Sequence, residues 1–208
     1  MIDRLVEALD ESRRLGFLGP GPIDAHIRHA EAFAEAVAEP PARALDLGAG
    51  GGLPGLVLAA HVWPQTTWSF LDAQRKRTDF LDRAVAELGL GARVTVLHGR
   101  AEDVGRDPVH RVGYDLVTAR SFAAPAVTAE CAAPLLADGG VLVVSEPPSA
   151  VLTDRWPTRG LAELGFGDVD ALVVDGGTPV HLVRMVRSGP LDERIPRRVG
   201  LPAKRPRF

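Results

Sequence analysis

Two hydrophobic periodicities alternate along the chain. Ile2, Leu5, Val6 and Leu9 recur at helical spacing among charges, which predicts an amphipathic helix from Ile2 to Leu15 that packs on another element and ends near Gly16. Pro20 and Pro22 interrupt the chain before a second helix, Ile23 to about Val37, with Ile27, Ala30, Phe33 and Val37 on one face. A short apolar run ending in Asp46 reads as the first strand, followed by a helix from Leu53 to about Val62. Pro54 suits its first turn, where a missing N–H costs nothing. Thr67 to Leu71 is the second strand and ends in Asp72; Gln74 to Leu88 is a helix with Phe80, Leu81, Val85 and Leu88 inward. Arg93 to Leu97 and Tyr114 to Ala119 read as the third and fourth strands. A helix from Pro125 to Leu136 leads through Asp138-Gly139-Gly140 into a fifth strand, Val141 to Ser145. Two last runs, about Ala171 to Val174 and Val180 to Val186, flank Asp175-Gly176-Gly177 and read as an antiparallel hairpin.

Strands separated by helices call for a doubly wound α/β fold: a seven-stranded, mostly parallel sheet with helices on both faces and an antiparallel C-terminal hairpin. The chain divides on this reading into an N-terminal helical cap over 1–40, a core over 41–190 and a basic tail over 191–208.

Composition narrows the class. At 208 residues, 46% hydrophobic and 25% charged, the chain suits one globular domain with short appendages. Its single cysteine, Cys131, excludes a disulfide framework and any cysteine-based zinc site, as expected in a reducing cytosol. With no apolar run near the roughly 20 residues of a membrane span, and an N-terminus unlike a signal peptide, a soluble cytoplasmic protein is expected. The net charge of −3 argues against a general polyanion binder, but it is unevenly spread. From Leu191 onward six basic residues face two acids, a net of +4, which leaves −7 for the remainder. Such an asymmetry suits either a phosphate footprint or a solubilising tail.

The chemistry concentrates in Arg43 to Gly55, where Asp46 is followed by Gly48, Gly50 and Gly52 at every second position. A strand that turns through such a loop into a helix exposes backbone to a ligand without an intervening Cβ. Gly50, Gly52 and Gly55 satisfy the dinucleotide fingerprint, with Asp72 about 20 residues downstream. Asp46 favours a different ligand, S-adenosyl-L-methionine. A carboxylate at the strand end repels a pyrophosphate on the helix N-terminus and attracts the ammonium of an amino-acid cofactor. Asp46, Gly48, Gly50, Gly52 and Leu53 are therefore candidates for the amino-acid end of the cofactor. Asp72 is a candidate acceptor for the ribose hydroxyls, its alternative being a turn or cap residue. Ala101 and Glu102, just after the third strand, are assigned to the adenine end.

Arg120 follows the fourth strand, at the sheet edge where ligands of open α/β folds bind, and is the candidate for cofactor and methyl-acceptor contact; otherwise it is a surface arginine. His26 and His29 lie one turn apart, but no third ligand is in view, so no metal site is expected. The basic run Arg75-Lys76-Arg77 at a helix N-terminus opposes the macrodipole and either meets phosphate or is a solvated face.

Four stretches together resemble the small-subunit ribosomal RNA guanine-N7 methyltransferases, RsmG. They are Asp46 to Gly55 with its closing Pro-Gly; Leu71-Asp72 with Arg75, Lys76, Arg77 and Phe80-Leu81; Thr118 to Phe122; and Glu193 to Pro206 with its Pro-Arg-Arg-x-Gly-x-Pro-Ala-Lys pattern. His26-Ile27 matches a family His-Ile as well, so the likeness spans nearly the whole chain. The resemblance implies a Rossmann-like class I methyltransferase that moves a methyl from S-adenosyl-L-methionine to N7 of a guanine in 16S rRNA, with 16S rRNA or the small ribosomal subunit as partner. Arg194, Arg197, Arg198, Lys204 and Arg205 are then the RNA-binding candidates, and removing the chain after Leu191 should leave cofactor affinity intact while weakening RNA binding. The chain departs from the family at Ser145-Glu146-Pro147-Pro148, where members tend to carry lysine and glycine, and in a shorter N-terminal region. These departures keep two alternatives in view: methylation of another RNA position or a small molecule, and a non-catalytic ribosome-binding paralogue.

Overall fold

In the computed structural model, which describes residues 1–175 and 177–208, a seven-stranded sheet in the order β3-β2-β1-β4-β5-β7-β6 carries the site along its carboxyl rim. The five strands β1 (Arg43–Leu47), β2 (Thr67–Asp72), β3 (Val94–His98), β4 (Tyr114–Ala119) and β5 (Leu136–Glu146) run parallel. β6 (Phe166–Val174) and β7 (Val180–Arg187) close the sheet antiparallel, as the sequence predicts. Gly176 of the expected turn lies outside the described residues. Among the described residues no helix is long and apolar enough to cross a membrane.

The strands are apolar on both faces because both are covered, and their period of two sorts residues between two cores. Ala44 of β1 and Trp68 and Phe70 of β2 join a core made by α1 (Ile2–Arg14), α2 (Ile23–Glu31), α3 (Gly55–Val57) and α4 (Arg75–Glu87). Leu45 and Leu47 face the other side, where they pack with α5 (Ala101–Val104) and α6 (Pro125–Ala132). Both cores extend under the C-terminal hairpin, through Leu182 on one face and Met185 on the other.

Five expected elements differ in detail. The second helix tightens into a 3-10 turn at Ala32–Ala36, and the helix after the glycine loop continues past Val57 as a π turn, Leu58–Val62. α6 stops at Ala132, and the Asp138-Gly139-Gly140 segment lies inside β5 as a bulge. Turn residues are tolerated there because Arg187 of β7 donates Nε–H to the carbonyls of Leu136 and Ala137, at 2.9 and 3.0 Å. β6 begins five residues earlier than its apolar run suggests, because Asp168 and Asp170 occupy exposed positions of an edge strand. Short helices α7 (Leu152–Arg155), α8 (Thr158–Ala162) and α9 (Leu201–Lys204) have too few turns to leave a periodic signal.

Candidate active site

Asp46 is paired in register with Phe70 on one side and Thr118 on the other, so its side chain points into the sheet face under α3. It is fully buried. Its Oδ2 accepts the Gly55 N–H and its Oδ1 the Thr118 hydroxyl, each at 2.9 Å. Burial pushes its carboxyl up to about 7 against the opposing pull of these two hydrogen bonds and of Arg120. In this structure each Asp46 oxygen takes one donor from the protein, so the residue closes the glycine loop onto β1 and β4, and its side chain is fully buried behind the loop.

The loop itself is fastened on three sides. The Gly48 and Ala49 N–H groups both donate to the Leu71 carbonyl at 2.9 Å, and Gly50 N–H donates to Asp72 Oδ2 at 3.0 Å. From α1, Ser12 donates its hydroxyl to the Gly51 carbonyl at 2.9 Å, so the first helix buttresses the loop. Gly48 takes φ of +73°, and a Cβ there would stand 2.6 Å from the Phe122 ring, whose displacement would intrude on the neighbouring cavities. Gly50, at φ of +53°, has nothing nearer than 3.5 Å. Both substitutions carry backbone strain of about 1–2 kcal/mol in folding stability, and Gly48→Ala is further expected to weaken S-adenosyl-L-methionine binding by calorimetry about tenfold more than Gly50→Ala does. Equal affinities for the two variants would count against the Phe122 contact. Gly52 packs over Leu56, whereas Leu53 lines the cavity over the loop.

Along the rim runs a cavity of about 270 Å³ bounded by Gly48, Asp72, Ala101, Glu102, Cys131 and Ala203. Asp72, at the end of β2, accepts the Gln74 N–H on Oδ1 at 2.8 Å, while Oδ2 takes Gly50 and lies 3.5 Å from Arg77. One member of the basic run on α4 is thus turned onto a buried acid, and Arg75 and Lys76 remain exposed. Burial alone would raise the Glu102 carboxyl; the Gly200 N–H at 2.9 Å, its own backbone N–H and the Arg100 guanidinium outweigh it and hold the group below its ordinary value. The sequence reading named Ser121, Phe122, Cys131 and Ala203 without assigning them to this cavity, whose walls they help to form. The positive φ of Ser121 (55°), which frees the end of β4 to turn outward, has no signature in residue type.

A second cavity of about 190 Å³ lies over Gly50, Gly51 and Leu53 beneath Phe17 and Leu18 of the N-terminal segment. A third, of about 380 Å³, lies beyond β4 and β5 between His29, Ser145, Glu146, Arg155 and Trp156. Arg120 borders both and shares Ser121 with them. Its Nη2–H points to His26 Nδ1 at 3.4 Å, and His26 Nε2–H in turn donates to the Gly19 carbonyl at 3.2 Å. A guanidinium can only donate and a carbonyl only accept, which fixes His26 as the neutral Nε2–H tautomer. Arg120 Nη1 is buried without a partner among the described residues. His29 is held down to about 4, mainly by burial and then by Arg120 and His26, so it too is neutral at physiological pH. Among the described residues no group of three or more His, Cys, Asp or Glu could hold a metal ion.

The basic tail does not hang free. Ile195, Pro196 and Pro202 are buried, and Arg111 donates to the carbonyls of Ile195 (2.6 Å) and Asp192 (3.3 Å). Of the five RNA-binding candidates, Arg197 is committed elsewhere: Nε and Nη2 fork onto buried Glu130 of α6 at 2.7 and 2.5 Å. Arg194 pairs with Asp192 at 2.6 Å but is exposed. Arg198, Lys204 and Arg205 are exposed and form no ion pair among the described residues. Because Gly200 binds Glu102 and Ala203 lines the first cavity, removal of residues 192–208 strips a wall from it; the expectation that truncation spares cofactor affinity is withdrawn.

Residues 23–146 match the family described as GidB, rRNA small subunit methyltransferase G. Ribosomal RNA small subunit methyltransferase G of Symbiobacterium thermophilum is 36% identical over 196 residues, 89% of this chain and 79% of that protein. The protein of the same name from Moorella thermoacetica is 35% identical over 170 residues, 80% and 70% of the two chains. Among solved structures, the O-methyltransferase TomG from Streptomyces achromogenes in complex with SAM aligns with a TM-score of 0.58 at 21% identity, over 88% of this chain and 90% of that one. The O-methyltransferase from Bacillus cereus in complex with SAH aligns with a TM-score of 0.63 at 17% identity, over 89% and 91%. At such identities these two share the fold.

Proposed function

Because this chain belongs to the rRNA small subunit methyltransferase G family, we propose that it transfers a methyl group from S-adenosyl-L-methionine to N7 of a guanine in 16S rRNA. The observation that carries this reading is that the first and third cavities adjoin at Ser121, Phe122 and Ala123, at the carboxyl end of β4, so that two ligands can meet there. The first cavity fits the cofactor. It presents two buried acceptors, Asp72 and Glu102, with lone pairs left over after their backbone bonds, the small side chain of Ala101 in its wall, and a loop with no room for a Cβ at Gly48.

In this reading Asp72 accepts the ribose hydroxyls, Ala101 and Glu102 border the adenine, and the backbone of Gly48 and Gly50 approaches the amino-acid end. Asp46 and Gly52 act from behind by fixing the loop. S-adenosyl-L-methionine, when bound, supplies an electrophilic sulfonium methyl. The acceptor nitrogen carries a lone pair and no proton, so the chain has to hold and orient the base and exclude water; it need not deprotonate it. Orientation of this kind can supply several powers of ten in rate. Arg120, mostly buried with one Nη lacking a partner among the described residues, is the group at β4 that contacts the acceptor; Arg75, Lys76, Arg198, Lys204 and Arg205 are exposed, close in sequence to Gln74 and Ala203 of the first cavity, and supply positive charge for phosphate. Residues 1–40 cap the loop, 41–190 form the transferase core and 191–208 strap it; a ribosomal acceptor implies work in the cytoplasm.

The test is to map N7-methylguanine in 16S rRNA by reduction and strand cleavage, after incubating subunits from a strain lacking this gene with enzyme and cofactor. One new cleavage that requires both is expected. Methylation at another atom, or no methylation, would remove the reading.

A further inference from the structure

The third cavity contains polar groups that binding of the cofactor and contact by Arg120 leave unexplained. Glu146 is the last residue of β5, its side chain only 4% exposed, and it lines this cavity beside Arg155. Arg155, at the end of α7, clasps it with Nε on one oxygen and Nη2 on the other, the latter at 3.3 Å. Three buried nitrogens without a partner belong to residues of the same cavity: Arg120 Nη1, Trp156 Nε1 and His29 Nδ1. Buried polar atoms are rarely left alone in a finished site, and here all three sit on residues that wall one cavity.

We infer that Glu146, held in place by Arg155, reads the Watson–Crick edge of the target guanine through its N1–H and exocyclic amine, and so sets the base specificity of the reaction; this rests on the guanine-N7 reading above. A carboxylate only accepts, and after a bidentate arginine it still has lone pairs directed away from the clasp. Guanine offers two donors on one edge. Adenine places the N1 lone pair at that position and is repelled. N7 lies on the opposite edge of the purine, so a guanine seated on Glu146 turns N7 back toward β4 and β1. With β4 between them, the rims of β1 and β5 are about 10 Å apart, room for a methyl group and one base with its hydrogen bonds. As the methyl is transferred the ring becomes cationic, its N1–H and amine become stronger donors, and the contact with Glu146 tightens in the transition state.

The experiment uses small subunits reconstituted with 16S rRNA assembled by ligation, carrying guanosine, inosine or adenosine at the mapped position. Inosine keeps N7 and N1–H and lacks the amine. The wild type is expected to favour guanosine over inosine by about 10- to 100-fold in kcat/KM, the worth of one hydrogen bond to a charged group, and to reject adenosine further. In Glu146→Gln the guanosine-to-inosine ratio is expected to fall about fivefold or more. The ratio is taken within one variant, so a loss of folded protein lowers both rates and leaves it unchanged; the wild-type arm needs no variant. Equal wild-type rates on guanosine and inosine, or a ratio unmoved by Glu146→Gln, would overturn the inference while N7 methylation of guanosine stands. Methylation at an atom other than N7 would remove the reading beneath it.

Discussion

Asp46→Ala is expected to destabilise the protein by about 2–4 kcal/mol and to weaken S-adenosyl-L-methionine binding about 100-fold, while Asp46→Asn retains the fold and most of the affinity. Alanine leaves the Gly55 N–H and the Thr118 hydroxyl buried without an acceptor, and each such group costs about 1–3 kcal/mol. Asparagine can satisfy both, its carbonyl taking Gly55 and its amide donating to Thr118, whose hydroxyl reverses role. The pair also separates charge from shape. The folded-state carboxyl titrates at about 7, above its ordinary 3.8, with burial as the largest cause. A raised carboxyl stabilises the fold fully below the ordinary value, and that stabilisation is lost as pH climbs from about 4 through about 7. Asp46→Asn lacks this term. Relative to wild type it should therefore gain stability between pH 5 and pH 9 in urea unfolding, and a difference that stays level across that range would show that the buried carboxyl does not titrate there.

How much of this was legible beforehand depends on distance along the chain. Asp46, Gly48 and Asp72 could be picked out because a strand end, a tight loop and the next strand end recur at short spacing, and they do meet at one rim. What Asp46 touches was not legible, because Thr118 is 72 residues away and arrives only when β4 pairs with β1. The same holds for Arg120 on His26, Gly200 on Glu102 and Ser12 on the Gly51 carbonyl, contacts that close across 94, 98 and 39 residues. Charge misled for the same reason. A basic run reads as a solvated surface or a phosphate footprint, and residue type cannot say that Arg77 turns onto Asp72 or that Arg197 is used up by a buried acid. The fold class survived these local errors because strand and helix alternation depends on periodicity, which is local.

Two neighbouring arginines of the tail are expected to fail in different ways. Glu130 on α6 has a side chain 1% exposed, and its charge is balanced by the Arg197 fork, with Arg207 at 3.8 Å as a weaker second partner. Breaking a buried pair from one side costs about 3–5 kcal/mol when nothing replaces the lost charge. With Arg207 still present, Arg197→Ala should cost about 2–4 kcal/mol in unfolding, and because the strap carries Gly200 and Ala203 it should also weaken cofactor binding measured without RNA. Arg198 is exposed and unpaired among the described residues, so Arg198→Ala should leave unfolding and cofactor binding within error. It should instead lower affinity for the small subunit and reduce the slope of log affinity against log salt by about 1. If Arg197→Ala were to change the salt slope and leave stability untouched, Arg197 would belong with the RNA contacts after all. The strap would then have to be held by its apolar residues, Ile195 and Pro202, in place of the buried ion pair.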